Sequence, residues 1–248
     1  MRGRRNWFEK NSDLYREYRP LYPDSLVDYL VSMLKKKSVA LDVGCGTGQL
    51  TQFLAASFDT VYGIDRSKQQ IKYAVQKPNI EYLVCFAEDI KIPSNRVDLI
   101  TVGQAAHWFD LELFYEEVRR LAKENSLIVL VSYGIVEMAP RFQKRFKLFY
   151  YDELKSFWPK ERRLVEEGYS SIIFPFEELK SPNISMEASW DLSQFLGYVR
   201  TWSAVKNCLG LGNSSTVMDF LNDISTLWGD GKDRYIFRWK LNIRLGRI

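Results

Sequence analysis

The stretch Leu41-Asp42-Val43-Gly44-Cys45-Gly46-Thr47-Gly48, followed by Val61-Tyr62-Gly63-Ile64-Asp65, decides the fold. An apolar run (Val39, Ala40, Leu41, Val43) enters a turn with glycine at every second position. A helix-like segment over residues 49–57 comes next, then a second apolar run that ends in an acid. Glycine is needed where a strand turns sharply into a helix and a ligand must approach the backbone. Asp65, 21 positions after Gly44, stands where a carboxylate can accept hydrogen bonds from both hydroxyls of an adenosine ribose. The combination reads as a nucleoside-binding β-α-β unit.

The glycine spacing narrows the ligand. Dinucleotide folds use G-x-G-x-x-G, which seats a pyrophosphate on a helix N-terminus. Here the spacing is G-x-G-x-G with Asp42 before it. An acid there opposes a phosphate but suits a cationic ligand or an amino group. No Lys-Ser or Lys-Thr follows the last glycine, so the Walker pattern is absent. The segment resembles the first motif of the class I S-adenosylmethionine-dependent methyltransferases, acid-x-G-x-G-x-G, and Asp65 matches the acid that ends their second strand.

That resemblance implies a cofactor site, residue by residue. Asp65 takes the ribose hydroxyls, or else caps the helix after it. Gly44, Gly46 and Gly48 let the backbone approach the methionine tail. Asp42 accepts from the tail's amino group or from the loop's amides. Ala87-Glu88-Asp89 matches the third motif, where Glu88 or Asp89 meets the adenine amine and Ile64 or Ile90 packs on the ring. Gly103-Gln104-Ala105-Ala106-His107-Trp108-Phe109-Asp110 ends the fourth strand, beside the methyl group in this fold. Gln104 is expected at the cofactor, and Trp108 at the acceptor. His107 is read as a general base or as a pocket wall bonded to backbone and packed on Trp108.

With 248 residues, the chain can bury a substantial core. It is expected to be one α/β domain over residues 1–248, with a doubly wound, seven-stranded Rossmann-like sheet. Strands alternate with helices, which implies a mostly parallel sheet. Val39–Val43, residues 60–64, 80–86, 97–102 and 127–132 read as strands, separated by helices at 68–76 and 111–122. Leu26, Val27, Leu30, Val31 and Leu34 fall on one face of an earlier helix. Residues 139–180 and 192–230 read as helical cap segments, with a strand at 184–190 between them and helices over 192–206 and 215–227. Residues 235–245 alternate with period two and read as the last, antiparallel strand.

Net charge is +4, an excess too small to imply nucleic-acid binding. Arg2, Arg4 and Arg5 read as a solvated terminus. The three cysteines have no paired spacing, which suggests reduced thiols in a cytoplasmic protein. One histidine in the whole chain excludes a histidine-rich metal site. No apolar run approaches the length of a membrane span. Trp158, Trp190, Trp202, Trp228 and Trp239 crowd the second half, as core or as the wall of an apolar pocket.

The acceptor loop lacks the Asn/Asp-Pro-Pro-aromatic signature of base and glutamine methyltransferases, and the paired glutamates of arginine methyltransferases are missing. Four features occur together: Arg19-Pro20-Leu21-Tyr22-Pro23, Ala105-Ala106-His107-Trp108-Phe109-Asp110, Thr201-Trp202-Ser203-Ala204, and Tyr169 with Phe174-Pro175-Phe176. Together they resemble trans-aconitate-type enzymes of the methyltransferase-11 group. The implication is O-methylation of a small acid. A carboxylate is already nucleophilic, so the reaction needs positioning and desolvation more than a base. Arginines would hold the acid bidentately: the candidates are Arg16, Arg19, Arg162, Arg163 and Arg200, with Trp202 beside them. Arg19 could instead hold the cofactor's carboxylate. The competing readings are a quinone- or lipid-like acceptor under an aromatic cap without arginines, and a binder of S-adenosylmethionine with no catalysis.

Overall fold

The computed structural model describes residues 17–248. Arg16 and the arginines at positions 2, 4 and 5 lie outside the described residues. Strands β1 (Val39–Val43), β2 (Thr60–Asp65), β3 (Ile80–Val84), β4 (Val97–Gly103) and β5 (Ala122–Tyr133) form a parallel half ordered β3-β2-β1-β4-β5. The order reverses at β1, and there the crevice for a ligand opens beyond the carboxyl ends.

Three further strands complete the sheet: β6 (Glu177–Leu179), β7 (Ser185–Trp190) and β8 (Tyr235–Arg247). The last runs antiparallel to β5, from Leu127 opposite Arg247 to Tyr133 opposite Leu241. Its far edge is shared, with β6 on residues 245–247 and β7 on residues 235–240. Eight strands thus fill the seven expected sheet positions. The short β6 escapes a sequence reading because Glu177-Glu178-Leu179 carries only one apolar residue.

Alternation along the strands builds a core on each face. Ala40, Val61, Leu99 and Val129 turn to one side, and Leu41, Ile64, Ile100 and Leu130 to the other. Helix α1 (Asp24–Ser32) starts after Pro23 and buries Leu26, Val27 and Leu30. Helix α2 is only Thr51–Leu54, shorter at both ends than the expected 49–57; the left-handed Gly48, at φ 82°, delays its start. Helices α3 (Lys68–Lys72) and α4 (Leu111–Leu121) follow β2 and β4, and α4 buries Phe114, Tyr115, Val118 and Leu121.

The second half contributes α5 (Pro140–Lys147), a π-helical turn (Leu148–Glu153), α6 (Arg162–Glu166), α7 (Leu192–Arg200), α8 (Ser203–Gly210) and α9 (Ser214–Trp228). The helix expected over 192–206 divides at Trp202, whose extended backbone (ψ 139°) makes it the N-cap of α8. The break sends its ring edge-on against Phe146, Tyr150 and Tyr198, at 5.6, 5.5 and 5.5 Å between centroids. Aromatic richness here is mainly core: Phe142, Phe146, Phe149, Phe195, Phe220, Trp228, Phe237 and Trp239 are fully buried. Among the described residues no helix is long and apolar enough to cross a membrane.

The tightest aromatic contact joins two of these helical pieces. Phe149 and Phe220 stack with centroids 3.8 Å apart and planes 5° from parallel, and Phe220 is 0% exposed. Phe220→Ala leaves a cavity that α9 cannot close without leaving α5, α7 and α8. A loss of about 3–5 kcal/mol in urea unfolding is expected; a loss below about 1 kcal/mol would show that α9 repacks freely.

Candidate active site

The glycine loop joins β1 to α2 and lies against the end of β2. Gly44, Gly46 and Gly48 all have positive φ, at 70°, 58° and 82°. A side chain at Gly44 would strike Ala105 and Phe109. One at Gly46 meets no protein atom closer than 3.5 Å and would instead fill the cavity beside it. Gly46 is therefore the glycine that leaves room for a ligand, whereas Gly48 does not line the cavity and packs over Tyr82.

Asp65 holds this loop in place. One carboxylate oxygen accepts from the Gly46 amide at 3.0 Å and the other from the Ser67 amide at 2.8 Å. Burial raises its pKa, and those two amides pull it back. The helix after it is capped by Ser67, which accepts from the Gln70 amide, so the capping alternative for Asp65 is corrected. A second correction concerns Asp42: it does not serve the loop's amides. It lies inside β1, 1% exposed, and accepts from the hydroxyls of Thr51 at 2.6 Å and Thr101 at 2.8 Å. Burial lifts its pKa to about 6, against the pull of both hydroxyls.

These residues border a cavity of about 1020 Å³ at the carboxyl ends of β1 to β4. Asp42, Gly44, Gly46, Asp65, Glu88, Asp89, Gln104, Trp108 and Arg19 all line it. Glu88 accepts from the Asp110 amide at 2.7 Å, which fastens the third motif to the loop after β4. Asp89 is largely exposed and pairs with Lys91. Ile64 lines the cavity, but Ile90 is buried beneath it. The apolar surface at that end is Phe86, 60% exposed. Phe86, Arg66, Gln49 and Tyr133 are lining residues that the motifs did not point to. Phe86 and Arg66 each stand at a strand's carboxyl end, which is the signal that could have found them.

Gln104 is left-handed at φ 55°. Its side-chain nitrogen donates to the Tyr133 carbonyl at 2.8 Å, which leaves its buried Oε1 with no partner. Gln49 Nε2 is likewise buried and unpartnered. A ligand with amino, carboxylate and hydroxyl groups answers both atoms, and the open face of Gly46 provides the approach. The residues therefore fit S-adenosylmethionine. No group of three or more metal-binding side chains occurs among the described residues.

Arg162 and Trp202 are not at this cavity but at a smaller one of about 40 Å³, beside it. Arg19 and Tyr133 line both, with Arg19 Nη1 3.5 Å from the Tyr133 hydroxyl. Arg162 donates to the Tyr150 hydroxyl at 3.0 and 2.7 Å, and its guanidinium lies 5.0 Å over Trp158. Arg163 points outward to Glu167, and Arg200 is exposed; neither lines a cavity. His107 lines neither cavity: its Nδ1 lies 2.8 Å from the Tyr169 hydroxyl, and its ring packs 4.7 Å from Trp108. Burial, aided by Arg162, lowers its pKa to about 3. The ring packs on Trp108, but its hydrogen bond goes to the Tyr169 hydroxyl and not to backbone, and the ring is not a base open to the cavity.

The comparisons with known proteins agree with this geometry. The methyltransferase-domain family Methyltransf_11 matches residues 41–130. A Dictyostelium discoideum protein described as a methyltransferase is 35% identical over 233 residues, covering 91% of this chain and 89% of that one. The Saccharomyces cerevisiae protein CRG1, named for S-adenosylmethionine-dependent methyl transfer, is 25% identical over 231 residues, with 76% and 77% covered. A solved Anaeromyxobacter dehalogenans structure, described as a type II methyltransferase, superposes with a TM-score of 0.86 at 35% identity, over 93% of this chain and 98% of that one. With a glycine loop tied to the acid that ends β2 at the sheet's switch point, the chain belongs to the class I S-adenosylmethionine-dependent methyltransferases.

Proposed function

We propose that this methyltransferase esterifies a carboxylate of a small acid, and that the acid is held by Arg19 and Arg162. The observation that carries the reading is the small cavity joined to the large one at Arg19 and Tyr133, with two guanidiniums among aromatic walls. Its volume of about 40 Å³ suits a group the size of a few waters, such as a carboxylate, and not a lipid chain. Trp202 and Trp158 shield that group from solvent, and Trp108 forms the wall toward the cofactor. A quinone- or lipid-like acceptor would favour a cap without arginines.

In this reading Asp65 accepts from both ribose hydroxyls, and Glu88 or Asp89 meets the adenine amine with Phe86 against the ring. Asp42 and Gln104 Oε1 accept from the tail's ammonium. S-adenosylmethionine supplies an electrophilic methyl carbon on a sulfonium. When bound, it would offer that carbon in line to a carboxylate oxygen, the new O–C bond replacing the S–C bond as S-adenosylhomocysteine leaves. Arg162 and Arg19 orient that carboxylate and strip its water. No base is required, which agrees with an imidazole held neutral away from the cavity lining.

Asp65→Ala should weaken S-adenosylhomocysteine binding at least a hundredfold by calorimetry, since each charge-assisted bond contributes about 1.5–3 kcal/mol. Unchanged affinity would remove the ribose assignment.

Affinity should also follow the ionisation of Asp42. Its raised pKa, about 6, means that ionisation costs the ligand-free protein stability as pH rises through that value. An ammonium beside Asp42 favours the ionised form, so binding should weaken about tenfold per unit below pH 6 and level off above it. Calorimetry giving constant affinity from about pH 5 to 7 would separate Asp42 from the ligand.

The acceptor itself is tested by incubating the enzyme and cofactor with a panel of small mono-, di- and tricarboxylic acids and looking for methyl esters by mass spectrometry. Arg162→Met should raise KM for the accepted acid by about 10–100-fold, the worth of one or two charge-assisted bonds. Methylation of a quinone or lipid instead, with Arg162→Met indifferent, would overturn the reading.

A further inference from the structure

Tyr169 belongs to the cap, yet it is tied to the loop after β4. It is 0% exposed and lies in the left-handed region at φ 62°, directly after Gly168 at the same angle. Such a backbone persists in a residue other than glycine only when its surroundings enforce it. Arg244 of β8 does so, donating to the Tyr169 carbonyl at 3.1 Å and also to the Ile172 carbonyl. Glu178 of β6 holds Arg244 from the other side at 2.9 Å.

What this fixed tyrosine touches is the one histidine of the chain. The hydroxyl is fully buried and has no other hydrogen-bond partner among the described residues, so its proton goes to His107 Nδ1 across the 2.8 Å contact. Nδ1 is then bare, and the proton of the neutral ring sits on Nε2. The charged group facing the imidazole is Arg162 from α6, which opposes a second proton; no carboxylate among the described residues favours one. The same ring packs on Trp108, a wall of the cofactor cavity.

We propose that Tyr169 is a positioning residue for the methyl-transfer loop: its hydroxyl fixes His107 as the Nε2-protonated tautomer, and through that ring fixes Trp108 at the cavity. The ring reaches neither cavity and acts only through Trp108, so the proposal rests on the cofactor assignment and not on the choice of acceptor.

A sole histidine makes the test unambiguous. In protein labelled with ¹⁵N-histidine, long-range proton–nitrogen spectra from about pH 5 to 8 should show one imidazole, bare at Nδ1 and protonated at Nε2, unchanged across the range. Tyr169→Phe removes only the hydroxyl. It should produce mixed tautomers or a titrating ring, and weaken S-adenosylhomocysteine binding about three- to tenfold, the worth of one hydrogen bond. A wild-type ring protonated at Nδ1, or one that titrates, overturns the proposal even if Tyr169→Phe does not fold. A Tyr169→Phe protein with an unaltered spectrum and affinity overturns it as well. No acceptor enters these measurements, so their failure is distinct from failure of the acid assay.

Discussion

The carboxylate of Asp65 bridges two backbone amides, Gly46 at 3.0 Å and Ser67 at 2.8 Å, and the rest of the site depends on that bridge. Three of the five loop residues are left-handed glycines with no side chain to hold them, and glycine loses more freedom on ordering than any other residue. The acid at the end of β2 supplies the missing restraint from the neighbouring strand, and the parallel pairing of Val43 with Ile64 sets the register that brings the two together. The acid read as the ribose ligand thus also holds the shape of the glycine loop. Removing it loosens the cradle as well as the contact.

Around that bridge the site is organised by burial of charge. Asp42 and Asp65 both lie in low-dielectric surroundings that raise their pKa values; hydrogen-bond donors compensate Asp42, and two amides with the Arg66 charge compensate Asp65. Asp42, a buried carboxylate satisfied only by neutral donors, is prepared for a positive partner. On the other side Arg19 and Arg162 converge on a small aromatic cavity. The site therefore runs from anionic to cationic across Tyr133, the polarity expected for a sulfonium cofactor with an ammonium tail facing an acidic acceptor.

The cofactor half was legible in the sequence because its determinants are local. Glycine spacing, an apolar run and an acid at its end all lie within residues 39–65, and the strands follow from period and composition. The proposed acceptor half was legible only as a list of candidates that held Arg19, Arg162 and Trp202, because these meet Tyr133 and Tyr150 only after the cap folds onto the sheet. Nothing local separates Arg162, clamped on Tyr150, from Arg163, which faces solvent one residue later. The same holds for Trp202, which lies at a helix break, and for His107, whose isolation is imposed by a tyrosine 62 positions away. Burial of a polar group by a distant segment leaves no periodic trace.

The most direct measurement is a crystal structure with S-adenosylhomocysteine bound. The account expects both ribose hydroxyls on the Asp65 carboxylate while the Gly46 amide keeps its bond, the adenine beside Phe86, and the ammonium within reach of Asp42 and Gln104 Oε1. A ligand seated elsewhere, or an Asp65 carboxylate turned away from the ribose, would contradict the account.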